Sequence, residues 1–249
     1  MLKNEREQEI LALLREMGYI SVRQLSQQLY ASESSVRRAL AGLESKGLIR
    51  RNYGGAELLE QYTNVVSFGA RAHHNIGAKK NIAGKAAAMV RDGDIVFLDQ
   101  STTALFLAER LMEKSALTVV TNNLQILSLL AQSTFTVYAS AGRLSESNRM
   151  CLVGADAQKT FESIYADFVF FSANAISNEG IISDCNREEV FVRNAMLANA
   201  DRKVFLCDSE KFGKHSAFRQ CSLGDVDYLI SEGDSSGRWK DFAGKTSFL

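Results

Sequence analysis

Two groups of residues in this chain have the types and spacing to do chemistry. The first is basic. Between positions 37 and 51 lie Arg37, Arg38, Lys46, Arg50 and Arg51 against one acid, Glu44, whereas the rest of the first 60 residues carries four bases and seven acids. The formal net charge of the whole chain is +0, so this local excess of cations is the feature that would meet a polyanion. Neutralising phosphates supplies much of a protein's affinity for nucleic acid. Ser32, Ser34 and Ser35 stand just ahead of the cluster and offer hydroxyls and, at a helix start, free backbone N–H groups. The second group is a series of polar clusters, each directly after an apolar run: Asp99 to Thr103, Thr121-Asn122, Gly142, Asn174, and Asp208 to Lys211. Ser101, Thr102 and Thr103 suit an anion at a helix N-terminus, Lys211 adds a mobile cation for a phosphate, and Asp99 would accept sugar hydroxyls. Each alone is an ordinary cap or turn residue. Their repetition at several strand ends is what points to one shared site.

Each group needs elements to position it. Ile10, Leu13, Leu14 and Met17 share one helical face over residues 4 to 17, ended by Gly18. Ser21, with Gln24 three residues on, predicts a capped second helix burying Val22, Leu25 and Leu29. Ser32 caps a third helix whose inner face is Val36, Leu40 and Leu43, and Gly47 ends it. Helices two and three joined by a tight turn make a helix-turn-helix. The stretch LIRRNYGGAELL that follows reads as two short strands around Gly54-Gly55, the wing of a winged helix. The arginines then fall on the recognition helix and the wing. The bland alternative is a three-helix module with a solvated basic face.

Beyond residue 60 the pattern changes. A polar stretch containing FGARAHHN leads into a helix over 75 to 91. After it, strands at 95–98, 117–123, 135–140, 167–174, 203–208 and 227–230 alternate with helices such as ALFLAERLME, LQILSLLAQ and EEVFVRNAMLANA. Such alternation predicts an α/β domain with a largely parallel sheet. In such sheets the ligand lies beyond the carboxyl ends of the strands, where the second group of residues falls.

Other chemistries find little here. Cys151, Cys185, Cys207 and Cys221 are scattered without a C-x-x-C pair, and His73, His74 and His215 have no metal-ligand spacing. No metal and no cofactor is expected. No apolar run reaches 18 residues and the charged N-terminus is unlike a secretory signal, so the expectation is a cytoplasmic protein without a membrane partner.

The stretch ISVRQLSQQLYASESSVRRALAGLESKGLIRRNYGGA, residues 20 to 56, resembles the DeoR family of sugar-metabolism repressors. Ser35, Val36, Arg37, Arg38 and Leu40 match the family's recognition helix. Ala39 stands where Asp is usual, and Tyr53 where His is usual. The resemblance continues through Lys79, Ile82, Ala83, Asp99, Thr102-Thr103, Thr121-Asn122, Val153-Gly154, residues 166 to 170, Glu189, and Asp208 to Gly213. It departs at Ser101, where glycine is usual, at Glu210, where serine is usual, and at Ala141, where the family has a second glycine before Gly142. The resemblance implies an effector domain with the fold shared by ribose-5-phosphate isomerase and glucosamine-6-phosphate deaminase, binding a phosphorylated sugar without turning it over. It also implies repression as the mode of action.

These readings combine into a winged helix-turn-helix over 1–60, a linker over 61–78 and a sensing α/β domain over 79–249. Double-stranded operator DNA is expected to meet Ser21, Ser32, Ser34, Ser35, Arg37, Arg38, Arg50, Arg51 and Tyr53. The phosphorylated sugar effector is expected at Asp99, Ser101, Thr102, Thr103, Thr121, Asn122, Gly142 and Lys211. One winged helix has a small footprint, so a homo-oligomer joined through the α/β domain is expected. The enzyme alternative, a sugar-phosphate isomerase or deaminase, would need a carboxylate base, for which Asp99, Asp184 and Glu188 are available. A DNA-binding head argues against it.

Overall fold

The computed structural model describes residues 3–17, 19–52, 54–58, 68–233, 237–239 and 241–249. The chain divides into two compact units, residues 1–66 and 67–249.

In the first unit, α1 (Lys3–Met17), α2 (Val22–Gln28) and α3 (Glu33–Ser45) pack around Ile10, Leu14, Leu25, Val36, Leu40 and Leu43. The caps explain the boundaries. Ser21 Oγ accepts from Gln24 N while Gln24 Oε1 accepts from Ser21 N, a reciprocal box that starts α2. Ser32 Oγ accepts from Ser35 N and starts α3. Strands β2 (Ile49–Asn52) and β3 (Gly55–Leu58) form the expected hairpin, with Asn52 opposite Gly55 and Gly54 in the left-handed region at φ 80°. A further strand, β1 (Tyr19–Ser21), precedes α2, pairs antiparallel with β3 and makes the order β1-β3-β2. Three residues are too few to show an alternating pattern. Gly55 is needed here: a Cβ at this position would lie 2.5 Å from the Ile20 carbonyl oxygen. Ala39, where the resemblance expects an acid, faces inward and is buried in this core.

The second unit is built on seven parallel strands: β4 (Ile95–Leu98), β5 (Thr118–Thr121), β6 (Thr136–Ala139), β9 (Ala166–Phe171), β12 (Ala200–Leu206), β14 (Tyr228–Ile230) and β15 (Ser247–Phe248), in the order β15-β14-β12-β9-β4-β5-β6. Alternate residues feed two apolar cores. Val96, Leu98, Phe168, Phe170, Val204 and Leu206 face one side, where they meet α5 (Ile76–Ala87), α6 (Thr102–Leu111) and α7 (Leu124–Leu130). Phe97, Val169, Phe171 and Phe205 face the other, against α8 (Ala155–Glu162) and α9 (Arg187–Ala198). Burial on both faces is why the central strands β4 and β9 read as continuous apolar runs.

Smaller pieces were not legible. The hairpin β7 (Arg143–Leu144) and β8 (Leu152–Val153), and the sheet of β10 (Ala175–Ile176), β11 (Ile181–Asp184) and β13 (Phe218–Ser222), are short and irregular. The expected linker also shortens: α4 (Phe68–His73) and the start of α5 belong to the second unit. Lys79 ties them down, its Nζ donating to the carbonyls of Arg71 and His74. Among the described residues no helix is long and apolar enough to cross a membrane.

Candidate functional site

On the first unit, the start of α3 presents Ser32, Ser34, Arg37 and Arg38, all exposed. Arg37 reaches Glu33 at 3.3 Å and Arg38 Nε donates to the Ser34 carbonyl at 3.4 Å, weak exposed contacts that a phosphate or a base would replace readily. Other expected contacts are more committed. Ser35 Oγ accepts from Arg6 Nη1 at 2.6 Å, and Ser21 Oγ belongs to the α2 cap. Arg51 is held by Glu44, with Nε at 2.6 Å from one oxygen and its backbone N at 3.2 Å from the other. That bond keeps the Glu44 carboxyl below its ordinary pKa. Arg50 lies on β2, and Tyr53 is outside the described residues.

On the second unit, the strand register decides which clusters meet. Leu98 lies opposite Thr121 on one side and Phe170 on the other, and Phe171 lies opposite Phe205. The polar residues that follow β5, β4, β9 and β12 therefore stand side by side along one edge of the sheet. Strands β5 and β6 leave β4 in one direction and β9 to β15 extend in the other. The crevice between β4 and β9 is thus the topological switch point, where open parallel sheets bind ligands.

At that point sits Asp99, fully buried. It is expected to hold a sugar hydroxyl, and in this structure it accepts from the protein. Oδ1 accepts from Ser101 N at 3.0 Å, and Oδ2 accepts from Ser172 N and from Arg193 Nε, both at 3.1 Å. These three bonds tie the end of β4 to the start of the loop that follows β9 and to α9, and leave Oδ1 with one protein donor. Arg193, on α9 and 2% exposed, also meets Asp184 Oδ2 at 3.1 Å and donates to Gln220 Oε1 at 2.7 Å. Burial pulls the Arg193 pKa down, but the carboxylates of Asp184 and Asp99 more than offset this and hold it above its ordinary value. At Gly142, φ is 113° and a Cβ would lie 2.5 Å from the Val153 carbonyl oxygen, so only glycine fits.

Around Asp99 the other expected residues separate into two ends. Toward β5, Ser101 Oγ caps α6 by accepting from Ala104 N, and Thr121 Oγ1 donates to the Leu98 carbonyl. Asn122 Nδ2 donates to Gln100 Oε1 at 3.4 Å and to the Leu152 carbonyl at 2.9 Å. Thr102 and Thr103 are buried in the first turn of α6. Thr103 Oγ1, Asn122 Oδ1 and Ser140 Oγ are buried without a hydrogen-bond partner among the described residues, which marks this end as polar and unsaturated. Toward β12, Lys211 Nζ donates to Ser172 Oγ at 2.8 Å and lies 3.4 Å from Asp208 Oδ2. Glu210, the acid beside Lys211, turns instead to His74, with Oε2 2.6 Å from Nε2.

Several members were invisible to site reasoning on the sequence. Lys79 is buried, and burial first, then the nearby Lys211, pushes its pKa down to about 8. Arg71 acts on Lys79 in the same sense. Asp208 and Glu210 act on Lys79 in the opposite sense, so Lys79, Lys211 and Arg71 are the three cations of a mixed-charge cluster at this edge. Glu189, buried on α9, accepts from Gln100 Nε2 at 3.1 Å and from the Cys151 thiol at 3.8 Å, and burial raises its pKa. Lys79 and Glu189 were among the positions carrying the family resemblance, but no spacing tied either to the strand ends. Among the described residues no group of His, Cys, Asp and Glu could hold a metal ion.

The family profile of the DeoR C terminal sensor domain matches residues 74–233, and that of the DeoR-like helix-turn-helix domain matches residues 6–62. The chain belongs to the DeoR family. The HTH-type transcriptional regulator GolR of Listeria innocua is 32% identical over 232 residues, 93% of this chain and 91% of that protein. The lactose phosphotransferase system repressor of Staphylococcus aureus is 30% identical over 236 residues, 93% of each chain. Among solved structures, ribose 5 phosphate isomerase A from Neisseria gonorrhoeae aligns at a TM-score of 0.40 and 14% identity, covering 54% of this chain and 52% of that one. Like other DeoR-family members, the chain is a DNA-binding transcriptional regulator and not an enzyme. The carboxylates available to the enzyme alternative are all engaged: Asp99 and Asp184 by Arg193, and Glu188 by Arg143 at 2.6 Å.

Proposed function

We propose that this regulator represses a carbohydrate-utilisation operon and that a phosphorylated sugar, bound at the carboxyl edge of the sheet, modulates its hold on operator DNA. The observation that carries the reading is the convergence at the switch point of a cationic end, Lys211 with Lys79 and Arg71, and an unsaturated polar end at Thr103 and Asn122. A phosphate dianion needs several donors and positive charge, which the first end supplies. A chain of sugar hydroxyls needs neutral donors and acceptors, which Gln100, Asn122 and the first turn of α6 supply. The repressor name of the Staphylococcus relative supports the direction of regulation.

The regulator works in the cytoplasm as a homo-oligomer joined through the α/β unit. Its operator carries repeated half-sites about 34–36 Å apart or a multiple of that spacing. The effector changes DNA affinity only by binding one arrangement of the protein better than another. The test is a thermal-shift screen of the full chain against pentose, hexose and hexosamine phosphates, followed by DNA-binding titrations with each hit. A sugar phosphate that raises the melting temperature and alters DNA affinity is the expected result. If no phosphorylated sugar does both, the effector reading fails.

A further inference from the structure

Tyr30 occupies the turn between α2 and α3. Its backbone is in the left-handed region, at φ 47°, and its side chain is 97% exposed. Both facts are unusual together. A bulky L-residue at positive φ carries a steric cost that glycine escapes and asparagine largely tolerates. The turn itself does not call for this side chain. It is closed by Ser26, whose carbonyl accepts from Ala31 N at 3.1 Å and whose Oγ donates to the Ala31 carbonyl at 2.6 Å, and by Tyr30 N donating to Gln27 O. Leu29 and Ala31, on either side, pack against the core of the unit, while Tyr30 points away. The chain thus keeps an aromatic residue where the backbone opposes it and the fold gains nothing from it.

The place of the turn says what it faces. In a helix-turn-helix the first helix crosses the DNA backbone and the N-terminal residues of the second enter the major groove. The segment joining them therefore lies against the groove wall, which is phosphate and sugar. Tyr30 is two residues ahead of Ser32, the cap of α3, and the exposed Ser32, Ser34 and Arg38 follow it. We propose that Tyr30 is a DNA-backbone contact, its phenol hydroxyl donating to a phosphodiester oxygen beside the recognition helix and so fixing the register of α3 in the groove. Tyrosine is among the side chains that make such contacts, which position the protein without reading sequence.

The inference rests on DNA binding by this unit, so the probes are a duplex selected by the full chain from a randomised library and a random-sequence duplex of equal length. Tyr30→Phe removes only the hydroxyl. It should weaken binding about tenfold, by the same factor on both duplexes, and leave the dependence of affinity on salt unchanged, because a phenol releases no counterion. Tyr30→Gly should raise the melting temperature of the first unit while weakening DNA binding at least as much. Full DNA binding by Tyr30→Phe overturns the proposal, as does a loss confined to the selected duplex, which would mean base reading. A change in the sedimentation of the free chain in place of a change in DNA affinity also overturns it, in favour of a contact between copies. Loss of binding in Arg37→Ala and Arg38→Ala, measured alongside, keeps a failure of this proposal distinct from a failure of DNA binding itself.

Discussion

Replacing Arg193 with methionine tests whether a buried ion cluster holds the proposed effector site in shape. Arg193 is 2% exposed and stands between two carboxylates, Asp99 and Asp184, each 3.1 Å away, with Asp99 fully buried. Methionine fills similar space and is adaptable, so the chief effect is electrostatic: two buried carboxylates lose their common cation. Removing one partner of a buried pair costs about 3–5 kcal/mol, because the remaining charge is left uncompensated. For a unit of this size each kcal/mol lowers the melting temperature by about 2–4 °C, so the expected fall is roughly 6–20 °C. Differential scanning calorimetry on the full chain should show the fall in the transition of the α/β unit and not in that of the winged helix. In Arg193→Met with Asp99→Asn the losses should fall short of additivity by at least about 1 kcal/mol, the mark of groups in one network. A melting temperature within about 2 °C of the parent at neutral pH would refute the reasoning.

Other expectations follow from the same geometry. Arg37→Ala and Arg38→Ala should each weaken operator binding by about 1–3 kcal/mol without unfolding the first unit, as gel-shift titrations with circular dichroism would show; equal binding by both variants would remove α3 as the recognition helix. Lys211→Ala should abolish the thermal shift and the change in DNA affinity caused by a sugar phosphate, while DNA binding by the free protein stays intact. Because Lys79 titrates near 8 in the folded chain, a bound phosphate that favours its charged form should lose affinity as pH rises through about 8, with proton uptake measurable by calorimetry in two buffers. Burial raises the pKa of Glu189, so its charge costs stability above that pKa and nothing below the unfolded value of about 4.3. Glu189→Gln should therefore stabilise the α/β unit against urea at pH 8, with the advantage fading toward pH 4.

What the sequence determined by itself is what depends on near neighbours. The helix caps at Ser21 and Ser32, the wing around Gly54-Gly55 and the gathering of arginines between 37 and 51 are set by residues within a few positions of each other. The apolar runs Ile95–Leu98 and Ala166–Phe171 were legible because strands covered on both faces have no polar side. Even the polar clusters at strand ends could be read, since each directly follows its run. Tertiary structure alone decided what those residues do. That Asp99 pairs with Arg193, 94 positions away, could not be read from its neighbours in the chain. Nor could the Val153 carbonyl, which leaves no room for a side chain at Gly142. Lys79 and Glu189 carried the family resemblance but had no visible reason to join Asn122 and Lys211, because partners separated by that much chain meet only through the parallel register of β5, β4, β9 and β12. Local pattern fixes which element a residue occupies. The charge a buried group meets is fixed by whatever the fold brings within a few ångströms, and that distance is not written in any short stretch of sequence.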